Sequence, residues 1–175
     1  MSSNTFRRIG GIAALTLAAG GGAALAAAPA SAAPTAPNPA VCPALATQKV
    51  DLVNCSADSS PTGTSAGIGT NGGSGKASAG TNGLALGIGL NGGKATSTAK
   101  GYSAPAAIAV GPGATVTLQG IKPGLAIGIA GAGATVTIDG KNAATCSGGP
   151  SFAGDFQTFT GCINLGNGTI LLGRR

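Results

Sequence analysis

Side chains that could carry out acid–base or nucleophilic chemistry are scarce in this chain of 175 residues, which contains neither histidine nor glutamate. Its four carboxylates, Asp51, Asp58, Asp139 and Asp155, show no paired spacing in the sequence. Serine nucleophiles need an activating base, and lysine is the base that this sequence offers. We therefore expect no enzymatic activity, no catalytic residue and no cofactor.

The remaining reactive side chains are four cysteines, Cys42, Cys55, Cys146 and Cys162. An even number of cysteines in an exported protein is typical of disulfide bonding, and three pairings are possible. The spacing favours Cys42–Cys55 and Cys146–Cys162, because each pair closes a short loop near one end of the chain. A zinc site is the competing interpretation, but the chain has no histidine and no paired Cys-x-x-Cys spacing.

Glycine-containing turns raise the question of bound ions. The phrases "NGGSGKAS" and "LNGGKATS" resemble calcium-binding nonapeptide repeats, but Lys76 and Lys94 stand near the position of the acidic ligand. The phrase "AGIGTNGG" superficially matches a glycine-rich phosphate loop, but no Gly-Lys-Ser/Thr ending follows it. We therefore predict no metal site and no nucleotide site.

Threonines in T-x-T pairs are the candidates for surface contact. Thr115 and Thr117 in "GATVTLQG" recur as Thr135 and Thr137 in "GATVTIDG", 20 residues later. Insect antifreeze solenoids present stacked T-x-T rows to ice, which requires a long regular array. This chain has two such rungs and a poorer third in "ATST". Threonine is also a favourable strand residue on a solvent-facing side, which is the simpler interpretation.

The amino-terminal residues 1–32 have the pattern of a signal peptide. Arg7 and Arg8 precede an apolar run over residues 9–27, and "APASA" supplies an Ala-x-Ala cleavage site ending at Ala32. We expect a secreted or cell-surface protein with no transmembrane segment after the signal is removed. Removal loses two of the ten basic residues and no acidic one, so the net charge becomes 8 − 4 = +4. Scattered lysines and few aromatic residues argue against nucleic-acid binding.

The cysteines and threonines described above lie in or beside a region that the sequence predicts to be repeated short strands. Four related segments repeat about every 20 residues. Aligned on Ile68, Ile88, Val110 and Ile129, successive segments are 20, 22 and 19 residues apart. Within each segment apolar residues alternate with small ones, which predicts half-buried strands with aliphatic side chains inward and small residues outward. The aliphatic residues expected inside are Leu84, Leu86, Ile88, Leu90, Ile108, Val110, Leu125, Ile127 and Ile129, together with Val116, Leu118, Val136 and Ile138.

A thin stack of coils suits a chain with so few large side chains. We predict an all-β fold, a short β-solenoid or β-roll of about four coils with disulfide-closed caps. A small antiparallel β-sandwich is the alternative. The predicted layout is a linker at 33–41, an N-terminal cap at 42–63, the repeat region at 64–143 and a C-terminal cap at 144–175.

The C-terminal cap holds all three phenylalanines that follow the signal segment, at positions 152, 156 and 159. Its last part predicts a hairpin with "GNG" between the strands 163–165 and 170–172. An aromatic binding patch is one interpretation of the phenylalanines, and closure of the solenoid end is the preferred one.

The phrases "GLALGIGLNGGKAT", "AAIAVGPGATVT" and "GLAIGIAGAGATVT" resemble the repeats of trimeric autotransporter adhesin heads, which form a left-handed β-roll. The layout of signal peptide, two cysteines, Ala/Gly repeat and two cysteines is similar to that of small exported actinobacterial proteins. These resemblances imply a β-roll and an exported location.

The functional expectation is a non-enzymatic secreted or envelope-associated protein with a structural or surface-contact role. The alternative is a module that binds envelope polysaccharide or another extended surface through outward Thr, Gln, Asp and Lys, with ice as the least favoured surface. An envelope polymer and self-association are the partners that the pattern allows.

Overall fold

The structure, a computed structural model, describes residues 38–173, which form strands and turns without a helix. The predicted signal peptide and most of the predicted linker lie outside the described residues. The strands are β1 (Ala40–Leu45), β2 (Lys49–Leu52), β3 (Cys55–Ser59), β4 (Thr64–Thr70), β5 (Ser74–Ala79), β6 (Leu84–Leu90), β7 (Lys94–Ala99), β8 (Ser103–Val110), β9 (Thr115–Gly120), β10 (Gly124–Ala130), β11 (Ala134–Ile138), β12 (Thr145–Gly148), β13 (Ser151–Asp155), β14 (Thr160–Asn164) and β15 (Thr169–Gly173).

These strands form two sheets between which the chain alternates. One sheet has the order β1-β4-β6-β8-β10-β13-β14-β15 and the other the order β12-β11-β9-β7-β5-β3-β2. From β4 to β11 each coil gives one strand to each sheet, and neighbouring coils pair in parallel. The predicted β-solenoid of about four coils is therefore confirmed, and the parallel pairing excludes the antiparallel sandwich.

The register between coils is more regular than the sequence alignment suggested. Ile68 pairs with Ile88, Ile88 with Ile108, and Ile108 with Ile129. The steps are therefore 20, 20 and 21 residues, and Val110 pairs with Leu90 rather than with Ile88. The predicted alignment of the third coil on Val110 was wrong by two residues, because Ile108 is the residue that pairs with Ile88.

The side chains that fill the core of the eight-stranded sheet are the small ones. In β6 Ala85, Gly87 and Gly89 are buried, whereas the leucines and Ile88 are half-buried or exposed on the outer side. The same holds for β8 and β10, so the predicted inward direction of their aliphatic side chains was wrong. The two sheets approach too closely for larger residues: a Cβ at Gly87 would lie against the carbonyl oxygen of Lys76 and 2.9 Å from its carbonyl carbon.

The fully buried branched aliphatic residues lie in the last coils of the seven-stranded sheet. Val116, Leu118, Val136 and Ile138 are at most 1% exposed, so their predicted inward direction is confirmed. Gly128 lies opposite them, and a Cβ there would be 2.9 Å from Leu118 Cδ2. Glycine on one sheet thus leaves room for a branched side chain on the other.

The predicted disulfides are present, and each joins the two sheets at one end of the stack. Cys42 of β1 bonds to Cys55 of β3, and Cys146 of β12 bonds to Cys162 of β14, with Cα–Cα distances of 5.8 Å in both. All four sulfur-bearing residues are buried. Each disulfide therefore links the two sheets at an end of the stack, where no further coil of the described chain covers the core.

The C-terminal segment caps the solenoid, but its aromatic rings do not fill the core. Phe152, Phe156 and Phe159 are 37%, 56% and 72% exposed, which corrects the preferred interpretation of these rings as end closure. The predicted hairpin is confirmed, with β14 and β15 paired antiparallel.

Asparagines stabilise one row of turns between coils. Asn71 and Asn91 both have positive φ, as does the glycine that follows each, a combination that Asn-Gly accommodates with little strain. Asn71 Nδ2 donates to Asn91 Oδ1 at 3.0 Å, and Asn38 Nδ2 donates to Asn71 Oδ1 at 2.6 Å. This ladder holds the first coils in register.

Candidate functional site: two opposite sheet faces

The outer side of the seven-stranded sheet is a grid of polar side chains, which we call the hydroxyl face. Strand pairing aligns them in three columns across the coils. The first column is Asp51, Ser56, Lys76, Thr96, Thr117, Thr137 and Thr145. The second is Ser74, Lys94, Thr115, Thr135 and Ser147. The third is Lys49, Asp58, Ser78, Thr98 and Gln119.

The four threonines identified in the sequence lie together on this face. Thr115 pairs with Thr135, Thr117 pairs with Thr137, and all four are half-buried or exposed. They form a two-by-two block at the C-terminal half of the grid.

Sequence reasoning missed part of this grid. Thr96 pairs with Thr117, whereas alignment of "ATST" with "ATVT" would place it beside Thr115. The two-residue shift puts Lys94 next to Thr115 and continues the threonine column instead. Thr145 extends it further, because β12 pairs antiparallel with β11. Only the register between coils reveals this column.

Charged residues gather at the N-terminal end of the hydroxyl face. A shallow groove of about 220 Å³ there is lined by lysine, aspartate, serine and threonine side chains of β2, β3, β5 and β7. Lys49 Nζ and Asp51 Oδ2 form an ion pair at 3.3 Å, with both side chains more than half exposed. Asp58 and Lys76 line the same groove. The groove therefore offers both donors and acceptors for hydrogen bonds.

The outer side of the eight-stranded sheet has the opposite character, and we call it the apolar face. The outward side chains of its parallel strands β4, β6, β8 and β10 are all apolar except Thr64 and Thr70. One column, the apolar column, crosses every strand of the sheet. It consists of Val41, Ile68, Ile88, Ile108, Ile129, Phe152, Ile163 and Ile170.

A hollow of about 260 Å³ opens at the C-terminal end of the apolar face. Phe152, Phe156, Phe159 and Leu172 form its walls, and glycines of β13 and β14 contribute to its lining. The missing side chains at those glycines create the recess. The phenylalanines thus belong to a surface feature and not to the core.

The isolated carboxylates have structural partners. The backbone N–H of Asn142 and that of Lys141 donate to Asp139 Oδ1 at 2.7 and 2.9 Å. These bonds, the one from Asn142 first, lower the pKa of Asp139 below its ordinary value of 3.8, because they favour the charged form. Asp155, only 2% exposed, accepts from the Gln157 N–H at 2.9 Å and from the Thr158 hydroxyl at 2.6 Å.

Within residues 38–173 no three side chains among His, Cys, Asp and Glu come together in a geometry that could hold a metal ion. In the same range no helix is long and apolar enough to cross a membrane. The two disulfides indicate an extracellular or otherwise oxidising environment.

The sequence profile of the family of unknown function DUF6764 matches residues 1–165. The chain belongs to this family. The match includes the four coils, both disulfides and every strand except β15, so the two faces lie almost wholly within the part that defines the family. No curated protein and no solved structure matches the chain.

Proposed function

We propose that this DUF6764 protein is a non-enzymatic, exported surface-contact module that binds extended cell-envelope polysaccharide through its hydroxyl face. The observation that carries the proposal is the unbroken column Thr96, Thr117, Thr137 and Thr145. The second polar column runs beside its whole length, and the third runs beside Thr96 and Thr117.

The spacing of the grid suits a polymer better than a small ligand. Neighbouring strands lie about 4.8 Å apart, and alternate residues along one strand about 6.7 Å apart. A hydroxyl-bearing chain lying along a column would meet a new hydroxyl at intervals comparable to one sugar unit. Each hydrogen bond contributes only about 0.5–1.5 kcal/mol, because it replaces a bond to water, so binding requires several rungs at once.

The positions of the carboxylates support a non-enzymatic role. Asp139 and Asp155 are committed to turns of their own segments. Asp51 is paired with Lys49, and Asp58 shares the groove with Lys76. These arrangements suit recognition of polar groups more than proton transfer, which needs a carboxylate placed beside the reacting atoms.

Export is supported by the signal-peptide pattern of residues 1–32 together with the two disulfides. The resemblance of the repeats to adhesin heads and of the layout to small exported actinobacterial proteins is consistent with a role at the envelope surface. Amino-terminal sequencing of protein recovered from medium or envelope tests the export step, and an intact Met1 on cytosolic protein would contradict it.

Ice is the least favoured surface for the hydroxyl face. Two adjacent T-x-T rungs align, but Lys94 lies beside Thr115 and Gln119 beside Thr98, so the array is irregular. Absence of thermal hysteresis in solutions of the purified protein would agree with this ranking.

Sedimentation with insoluble envelope polysaccharide tests the proposal. We expect the triple variant Thr96→Ala/Thr117→Ala/Thr137→Ala to bind about tenfold more weakly, from three lost bonds of about 0.5 kcal/mol each. The matched control is Thr64→Ala/Thr70→Ala, which removes outward threonines from the opposite sheet and should leave binding unchanged. Equal binding by the triple variant and the wild type would eliminate the hydroxyl face as the contact surface.

A further inference from the structure

The apolar face is an unusual surface for a protein in water. Val41, Leu84, Leu125, Phe152 and Ile170 are between 37% and 58% exposed on it. They come from five different strands of one sheet, and the apolar column also crosses the strands between them. The exposed apolar side chains are therefore contiguous across the sheet and not scattered. Contiguous patches of this kind mark sites where another surface docks.

The size of the face matches what a stable dimer needs. Eight strands about 4.8 Å apart and about six residues long at ~3.3 Å per residue span roughly 38 by 20 Å, or about 760 Å². The largest apolar patch on a typical monomer is about 300–600 Å². A standard protein–protein interface covers about 800 Å² on each partner. The entire face is therefore the size of one side of such an interface.

The distribution of charge favours a protein partner over a lipid surface. Lys49, Lys76 and Lys94 lie on the hydroxyl face, on the outer side of the other sheet. A protein that embeds an apolar face in anionic lipid places cations around that face to meet the headgroups. These three of the six lysines point to the opposite side, and Lys100, Lys122 and Lys141 lie in turns between strands. In the described part of the chain, no strand of the eight-stranded sheet carries a lysine or an arginine. An interface centre depleted of charge is instead typical of homodimers.

The relief of the face provides complementary shapes. The apolar column forms a ridge of branched side chains and Phe152. In the neighbouring column small residues alternate with large ones. Ala66 and Ala106 are separated by Leu86, and Ile127 precedes two glycines of β13 and β14. The hollow between Phe152, Phe156 and Leu172 is lined by the two glycines at the end of this column and is large enough for an aliphatic side chain. Two copies of one such face can place the large residues of one copy against the small residues and the hollow of the other, as packed sheets interdigitate at about 10 Å separation.

We infer that the protein is a homodimer in which two copies pack their apolar faces together. This arrangement buries the apolar column of both copies and leaves the two hydroxyl faces on opposite outer sides of the dimer. It does not depend on what the hydroxyl face binds, but it would make any such binding bivalent.

Sedimentation velocity on the oxidised product of the full 175-residue gene tests the dimer at micromolar concentration. The test variant is Ile108→Lys, in the middle of the apolar column on β8. Its matched control is Thr117→Lys on the hydroxyl face, also outward on a central strand. Ile88→Thr is a milder second variant in the same column, for use if lysine impairs folding. Far-UV circular dichroism and thiol titration establish that each protein is folded with both disulfides formed.

We expect a dimeric wild type, a dimeric Thr117→Lys protein and a folded monomer for Ile108→Lys. A lysine that is buried without a partner raises the dissociation constant of the dimer at least about 100-fold. A monomeric wild type would overturn the inference, as would a dimer that Ile108→Lys and Ile88→Thr leave intact. A monomer that floats with phosphatidylcholine vesicles would overturn it in favour of a lipid surface. Failure of polysaccharide binding by an intact dimer would affect only the proposed function.

Discussion

The substitution Gly87→Ala tests which side of the eight-stranded sheet is the inside. Gly87 is buried in β6, and an added Cβ would lie against the carbonyl oxygen of Lys76, with the carbonyl carbon at 2.9 Å and the amide nitrogen at 3.0 Å. These are backbone atoms of the opposite sheet, so no side chain can rotate away. The two sheets would have to separate locally.

The expected cost follows from this geometry. Overpacking a well-packed core typically costs 1–3 kcal/mol, and a clash with backbone places Gly87→Ala near the upper end, at about 3 kcal/mol. For a domain of this size that corresponds to a decrease in Tm of roughly 10 °C. Gly154→Ala is the matched control, because its added Cβ would be on the outer side of β13, 3.4 Å from the nearest ring atom of Phe152. Its expected effect is within about 0.5 kcal/mol.

Urea unfolding of both variants with the disulfides intact, followed by circular dichroism, measures the difference in free energy of unfolding. The original expectation from the sequence, with small residues outward, makes Gly87→Ala harmless. A Gly87→Ala midpoint equal to that of the wild type would therefore refute the account of the core given above and return the aliphatic side chains of β6 to the inside.

Two further predictions concern the C-terminal cap and the Asp139 turn. Replacing Cys146 and Cys162 together by alanine should lower the free energy of unfolding by about 3 kcal/mol, because their disulfide closes a loop with a sequence separation of 16 residues; an unchanged urea midpoint would contradict this. The folded-state pKa of Asp139 is lowered, so its contribution to stability is present above the ordinary pKa and is lost as pH falls through the folded value. Wild type should therefore lose more stability than Asp139→Asn between about pH 5 and about pH 2, and parallel pH profiles in urea unfolding would rule this out.

Much of the fold could be predicted from local features of the sequence. The period of about 20 residues and the alternation of apolar and small residues predict short stacked strands, and Asn-Gly pairs mark their turns. The spacing of the cysteines favours the pairing that the structure contains. The assignment of Val116 and Val136 to the core is correct. The residues that alternate with these valines are threonines, so the valines lie on the apolar side of each strand.

The candidate surfaces could be predicted only in part. The block of Thr115, Thr117, Thr135 and Thr137 follows from two copies of one phrase in the same register. The longer column through Thr96, and the place of Lys94 beside Thr115, could not be predicted. The length of the turns between coils sets the register, whereas alignment of the repeated segments alone suggests a register shifted by two residues. The phenylalanines were assigned to end closure because burial is the usual fate of aromatic rings, but in this cap they line a hollow on the surface.

The sequence by itself determined which residues share a face, whereas the tertiary structure decided which face is inside. Alternation with a period of two states only that Ile88 and Gly87 point to opposite sides of a strand. The choice between them depends on the distance to the opposite sheet, where β5 presents Gly75, Ala77 and Ala79. Small residues on both sheets bring the backbones together until no aliphatic side chain fits between them. For that reason the isoleucines of the first two coils lie outside. In the last two coils the branched side chains of β9 and β11 already fill the space between the sheets, so Ile108 and Ile129 also lie outside and extend the apolar face.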